Sequence, residues 1–130
     1  MIVLDASALI DLLLQGPAAP RTAAAIGDRR AIHAPHLVDT ETLHVMRRWV
    51  ARDRLTLARA EIALEDLADL PLVHHDHKPL RPRVWALRER MSAYDATYVA
   101  LAEALDATLV TADGRLARAA ARLVGTVDVS

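Results

Sequence analysis

Apolar positions along the chain alternate between short runs of strand length and longer stretches at helical spacing. Ile2-Val3-Leu4 is the first short run, and a helical stretch from Ala6 to Gln15 follows it and stops at Gly16-Pro17. The pattern predicts a second helix between Pro20 and Gly27, a strand over Ala31 to Ala34, and a helix opened by Pro35 that runs to about Arg52. Thr56 makes an N-cap for a helix to Leu70, in which Leu57, Ile62, Leu64 and Leu67 recur at helical spacing. Leu72-Val73-His74 reads as a strand and Leu80 to Met91 as a helix. Ser92 and Asp95 form a Ser-x-x-acid capping box at the head of an alanine-rich helix that ends near Asp106. A strand over Thr108 to Thr111, a helix from Gly114 to Leu123 and a strand over Thr126 to Val129 complete the pattern.

Strands this short, separated by helices, require a mainly parallel sheet covered on both faces. The expected fold is α/β, a three-layer α/β/α sandwich with a mainly parallel central sheet. The 130 residues fit one domain over 1–130, with no repeat, linker or low-complexity tract. The 26 alanines, with no phenylalanine, suit helices that lie close to a sheet and to one another.

Composition narrows the chemistry. Sixteen basic residues against seventeen acidic ones leave a net charge of -1, so no overall bias points to nucleic acid or membrane. The absence of cysteine removes a disulfide framework, a zinc-thiolate site and a cysteine nucleophile. Asp5 and Asp11 interrupt the apolar N-terminus, no basic region precedes it, and no apolar run approaches the ~18 residues a membrane span needs. A soluble, cytoplasmic protein is expected.

Open parallel sheets gather ligands at the carboxyl ends of their strands. Asp5 directly follows the first strand, and Asp113 lies two residues past the Thr108–Thr111 strand. Asp95 falls in a helical first turn and Glu41 in the helix that begins near Pro35. Each has a structural explanation: Asp5 and Asp113 as helix caps, Asp95 as the partner of Ser92, Glu41 as a solvated helical residue. Periodicity does not separate Glu41 from Asp39, because Glu41 stacks between Leu37 and Val45 while Asp39 stacks on Leu43 and Met46. Four carboxylates on one rim would repel, at about 4 kcal/mol for a pair ~4 Å apart at an effective dielectric near 20. Such a cluster persists through raised pKa values or bound divalent cations, and an all-oxygen donor set selects Mg²⁺ or Mn²⁺. That chemistry suits phosphodiester hydrolysis by a metal-activated water and needs no protein nucleophile.

The motifs resemble those of PIN-domain proteins, and in particular the VapC toxins of VapBC toxin–antitoxin pairs. The resemblance rests on Met1-Ile-Val-Leu-Asp5-Ala-Ser7-Ala-Leu, on Ala34-Pro-His-Leu-Val-Asp-Thr-Glu41 with Arg47-Arg48 downstream, and on Arg83-Val-Trp85-Ala-Leu-Arg88. It continues through Ser92-Ala-Tyr-Asp95-Ala-Thr-Tyr98-Val-Ala-Leu-Ala-Glu103 and Leu109-Val-Thr111-Ala-Asp113-Gly-Arg-Leu116, so it covers nearly the whole chain. It implies a Mg²⁺-dependent endoribonuclease, with Mn²⁺ as an alternative metal, that cuts structured RNA such as transfer or ribosomal RNA. By the same resemblance Asp5, Glu41, Asp95 and Asp113 line the acidic pocket, Asp5 and Asp95 foremost as metal ligands, with Ser7 and Thr111 supporting them. The family pattern is what favours Glu41 over Asp39. Gly114 departs from it, since relatives often carry Arg or another polar residue there. A homodimer, a VapB-like antitoxin partner and DNA binding only through that antitoxin are also implied.

A catalytically inactive PIN-like module that binds RNA or protein is the alternative from another class, and the presence of all four acids counts against it. A dehalogenase-type phosphatase needs Asp-x-Asp after its first strand, where this chain has Asp5-Ala-Ser7; a receiver needs a late strand-end lysine, and the only lysine is Lys78. Arg47, Arg48, Arg52 and Arg54 fit a solvated helix end as well as RNA contact, and Arg83, Arg88 and Arg90 fit phosphate or a dimer partner. His74, His75 and His77 are read as exposed loop residues rather than a zinc site. Trp49, Trp85, Tyr94 and Tyr98 are read as core or interface. With four acids confined to one cation-filled pocket, the rest of the chain is net basic, which is compatible with RNA.

Overall fold

The computed structural model describes residues 1–130. Strands β1 (Ile2–Leu4), β2 (Ile32–Pro35), β3 (Leu72–His75), β4 (Thr108–Thr111) and β5 (Thr126–Asp128) form one sheet in the order β3-β2-β1-β4-β5. Every pairing is parallel, with Val3 opposite both His33 and Leu109. The sheet is thus wholly, rather than mainly, parallel.

Seven helices cover it: α1 (Ala6–Leu14), α2 (Ala19–Ile26), α3 (Leu37–Ala51), α4 (Leu57–Asp69), α5 (Arg81–Ala86), α6 (Ala93–Leu105) and α7 (Gly114–Ala120). The chain steps outward from β1 to β2 to β3 through α1–α4, then crosses back to β4 and β5 through α5–α7. Right-handed crossovers place these two helix sets on opposite faces. α1 packs on α2, α3 and α4, whereas α6 lies against β1, β2 and β4. Val3, Leu4 and Leu109 are fully buried between the layers, and so are Ala8, Ala96 and Ala102, whose small side chains let helix backbones approach the sheet. The direction of chain progress reverses between β1 and β4. A crevice therefore opens beyond their carboxyl ends, where Asp5 and Asp113 lie.

Several local expectations change. Pro35 ends β2 instead of opening α3; its missing N–H is harmless there because the next N–H, of His36, donates to the His75 carbonyl at 3.0 Å. The Leu80–Met91 stretch is not one helix but a 3-10 turn over Lys78–Leu80, the short α5, and turns that bury Leu87 and Met91. Pro79 and Pro82 sit at the starts of these two pieces, where a missing N–H costs nothing. α7 stops at Ala120, whose carbonyl accepts from both Leu123 and Val124 N–H groups, and β5 stops at Asp128. In α4 the buried residues are Ala60 and Ala63, while Leu57 and Ile62 are exposed. Thr56 caps α4 as expected, accepting from the Arg59 N–H at 3.1 Å.

The α1–α2 turn depends on Gly16. α1 ends with Gln15 left-handed at φ 55°, and a Cβ on Gly16 would lie 2.5 Å from Asp11 Oδ1. The other oxygen of Asp11 accepts from the Ala18 N–H at 3.0 Å. Gly16→Ala is expected to push Asp11 off this bond and to cost about 1–2 kcal/mol, read as a lowered Tm in thermal denaturation.

Candidate active site

Four segments from both ends of the chain meet in one cleft of about 400 Å³, lined by Asp5, Glu41, Asp95 and Asp113 and walled on one side by Ile10, Val45 and Trp49. Asp5 stands where β1 becomes α1 and Asp113 where β4 becomes α7. Both also cap the helices they precede: Asp5 Oδ1 accepts from the Ala8 N–H at 3.0 Å, and Asp113 Oδ1 from the N–H groups of Arg115 and Leu116 at 2.9 and 3.3 Å. Capping and cleft-lining are therefore properties of the same carboxylates.

Asp5 is only 5% exposed. Two hydroxyls compensate its burial. Ser7 Oγ donates to Asp5, lying 2.7 and 2.9 Å from its two oxygens, and accepts from the Ala112 N–H at 3.0 Å. Thr111 Oγ1 donates to Asp5 Oδ2 at 2.7 Å and accepts from the Asp113 N–H at 3.0 Å. Each hydroxyl spends its one proton on the carboxylate and ties the loop after β4 to the loop after β1. Even so, burial pushes Asp5 up to about 6, with Asp113 adding to the rise and the hydrogen bonds opposing it.

α3 separates the two acids that periodicity could not. Glu41, Val45 and Trp49, spaced four residues apart, face the cleft. Glu41 Oε1 accepts from the Tyr98 hydroxyl at 2.6 Å, and burial, with the charge of Asp95, raises its pKa. Asp39 faces β3 instead and pairs with His74 Nε2 at 2.9 Å. The histidines expected in an exposed loop have structural partners: His75 Nε2 lies 2.9 Å from His33 Nδ1, and His77 Nε2 accepts from the Leu37 N–H, which caps α3. At Asp95 the capping box is only half formed. Ser92 Oγ accepts from the Asp95 N–H at 3.1 Å, while the Asp95 carboxylate accepts from Arg115 Nη2 at 3.0 Å.

The PIN domain family matches residues 2–122 of this chain. A VapC ribonuclease of Mycobacterium bovis is 46% identical over 116 residues, spanning 89% of this chain and 88% of its own length. Ribonuclease VapC1 of Mycobacterium tuberculosis is 40% identical over 118 residues, spanning 90% of this chain and 89% of its own. The chain belongs to the PIN-domain family, among its VapC ribonucleases. PAE2754 from Pyrobaculum aerophilum superimposes with a TM-score of 0.74 at 27% identity, covering 98% of this chain and 83% of that one. Two further structures share the fold. Mycobacterium tuberculosis VapC20, described as a sarcin-ricin loop cleaving toxin, has a TM-score of 0.69 at 19% identity and covers 92% and 95% of the two chains. VapBC2 of Rickettsia felis, bound to a promoter DNA fragment, has a TM-score of 0.65 at 15% identity and covers 98% of each.

PIN-domain ribonucleases depend on metal ions, and the carboxylates here suit one. No three His, Asp or Glu side chains converge closely enough to enclose a cation as they stand. The donors are nevertheless all oxygen, and Asp5 and Glu41 are desolvated carboxylates with acidic neighbours, an environment that favours a hard divalent cation. Sequence reasoning did not anticipate the Tyr98 bond to Glu41 or the placement of Arg115; Tyr98 sat on a helical core stripe, and a side-chain bond from α6 to α3 leaves no local pattern. Trp49 turned out to line the cleft, while Trp85 and Tyr94 are 69% and 63% exposed. Of the noted arginines, Arg83 is engaged by Glu103 at 2.7 Å and Arg88 lies over the Trp85 ring at 4.9 Å, whereas Arg47, Arg48, Arg52 and Arg54 are exposed. No helix is long and apolar enough to cross a membrane.

Two outcomes follow for this VapC ribonuclease. A carboxylate whose folded pKa exceeds its unfolded value favours folding when protonated, so its contribution is present below pH 3.8 and lost as pH rises toward about 6. Metal-free denaturant unfolding of wild type and Asp5→Asn should therefore diverge across pH 4–7, with the wild type losing about 2–3 kcal/mol relative to the variant as pH rises. Thr111→Val, which removes a donor to Asp5 at nearly constant volume, should cost about 1–3 kcal/mol at pH 7 and raise the Asp5 titration midpoint in carboxyl NMR.

Proposed function

We propose that the chain acts, as a single domain over 1–130, as the Mg²⁺-dependent endoribonuclease toxin of a toxin–antitoxin pair. The observation that carries this reading is the meeting of Asp5, Glu41, Asp95 and Asp113 in one cleft at the β1–β4 reversal. Asp5 and Asp95 are assigned as the principal metal ligands, with Glu41 and Asp113 completing the donor set, and Mn²⁺ is expected to substitute. When bound, the cation supplies a water of lowered pKa and neutralises phosphate charge. Ser7 and Thr111 fix the Asp5 carboxylate, and Tyr98 fixes Glu41, so that two of the four acids would be held in place for the cation. Ile10, Val45 and Trp49 give the cleft an apolar wall that limits water and suits a sugar or base beside the scissile phosphate.

The proposed substrate is structured RNA, transfer or ribosomal, in the cytoplasm; the ribosomal possibility gains support from the sarcin-ricin loop cleaving relative of the same fold. A VapB-like antitoxin is the proposed partner, supported by the VapBC2 assembly, with DNA engaged only through that antitoxin and with the toxin as a homodimer.

Purified protein is expected to cleave RNA with Mg²⁺ or Mn²⁺, to lose cleavage in EDTA, and to lose about a hundredfold or more in Asp5→Asn or Asp95→Asn. Mapping new RNA 5′ ends after expressing the wild type and Asp5→Asn identifies the target. Undiminished cleavage in chelator overturns the metal dependence, and an unchanged cellular effect of Asp95→Asn overturns this reading in favour of a binding module.

A further inference from the structure

We propose that Arg115 is the resident counter-ion of the acid cleft, and that a divalent cation binds Asp95 and Asp113 by displacing it. The inference deepens the metal-dependent reading above and rests on it. Arg115 is the second residue of α7, and its own N–H donates to Asp113 Oδ1 at 2.9 Å, which fixes its backbone beside the cleft. From there Nη2 reaches Asp95 Oδ2 at 3.0 Å and stands 3.6 Å from Asp113 Oδ2. One guanidinium thus bridges an acid in the first turn of α6 and the acid that caps α7. No other basic side chain pairs with any of the four cleft acids.

The position is that of a displaceable ion. The Arg115 side chain is 68% exposed, against 17% for Asp95 and 37% for Asp113, so the charge sits at the mouth of the cleft and not in its floor. A metal ligated by Asp95 competes with Nη2 for the Oδ2 lone pairs, and the two cations repel. The solvent around the guanidinium screens this repulsion, so displacement weakens metal binding modestly rather than blocking it. Once released, the planar guanidinium remains tethered at the rim, where its fork geometry suits a phosphate. Arg115 is a positioning residue in this scheme: bridging Asp95 and Asp113, it screens their mutual repulsion in the absence of metal.

The test is Mn²⁺ binding by calorimetry, on the full chain without RNA, for wild type, Arg115→Gln and Arg115→Lys, with thermal unfolding in EDTA as a folding check. Arg115→Gln should bind Mn²⁺ about threefold to fivefold more tightly than wild type. Arg115→Lys, which keeps the charge, should stay within about twofold of wild type. Equal or weaker binding by Arg115→Gln overturns the displacement, even where wild-type RNA cleavage upholds the nuclease reading. Absence of Mn²⁺ binding in wild type and Arg115→Gln alike overturns both.

Discussion

The hydrogen bonds of Ser7 and Thr111 to the Asp5 carboxylate organise everything beyond the carboxyl ends of β1 and β4. Asp5 is nearly sealed from solvent, a position costly for a charge unless donors surround it. Each hydroxyl has one proton to give, and both protons go to this carboxylate. The oxygens then accept backbone N–H groups from Ala112 and Asp113. The same few bonds therefore stabilise a buried acid and set the path of the loop that carries Asp113. Charge placement and loop geometry cannot vary independently here, which links the stability of the sheet's centre to the shape of the cleft.

The acids show that structural and functional explanations of a residue can be one. Asp5 and Asp113 cap α1 and α7 with one oxygen, and both border the cleft. Asp95 differs because Ser92 supplies the cap of α6, which leaves both carboxylate oxygens of Asp95 free of backbone. Glu41 depends on a neighbour's neighbour. α3 is oriented at its first turn by His77, which caps Leu37, and by His74, which holds Asp39. With α3 seated in that orientation, Glu41 one turn on from Leu37 meets Tyr98 of α6.

Strand runs and helix caps were legible because their signals are local: Ile2-Val3-Leu4, Thr108–Thr111, Thr56 and Ser92 each carry their reason within a few residues. The order of acids was legible through the resemblance and through the rule that ligands collect at strand ends. Pro35 was misplaced because a proline reads alike at the end of a strand and the start of a helix; only the partner strand, supplying the His75 carbonyl to His36, decides between them. The choice between Asp39 and Glu41 likewise needed β3, some thirty residues downstream. The Arg115 bridge was not legible at all, since it joins α7 to α6 through a long flexible side chain with no periodic signature.

The sheet order carries a consequence for synthesis. β1 is made before β2 and β3, yet one of its two neighbours, β4, follows only after both, and Thr111 and Asp113 arrive with it or just behind it. Until then Asp5 lacks one of its two hydroxyl donors and the cleft lacks its last wall. A nascent chain therefore holds no finished cleft until β4 and the residues after it have been made. For a ribonuclease made on an RNA machine, strand order alone thus delays the assembly of the acid cleft.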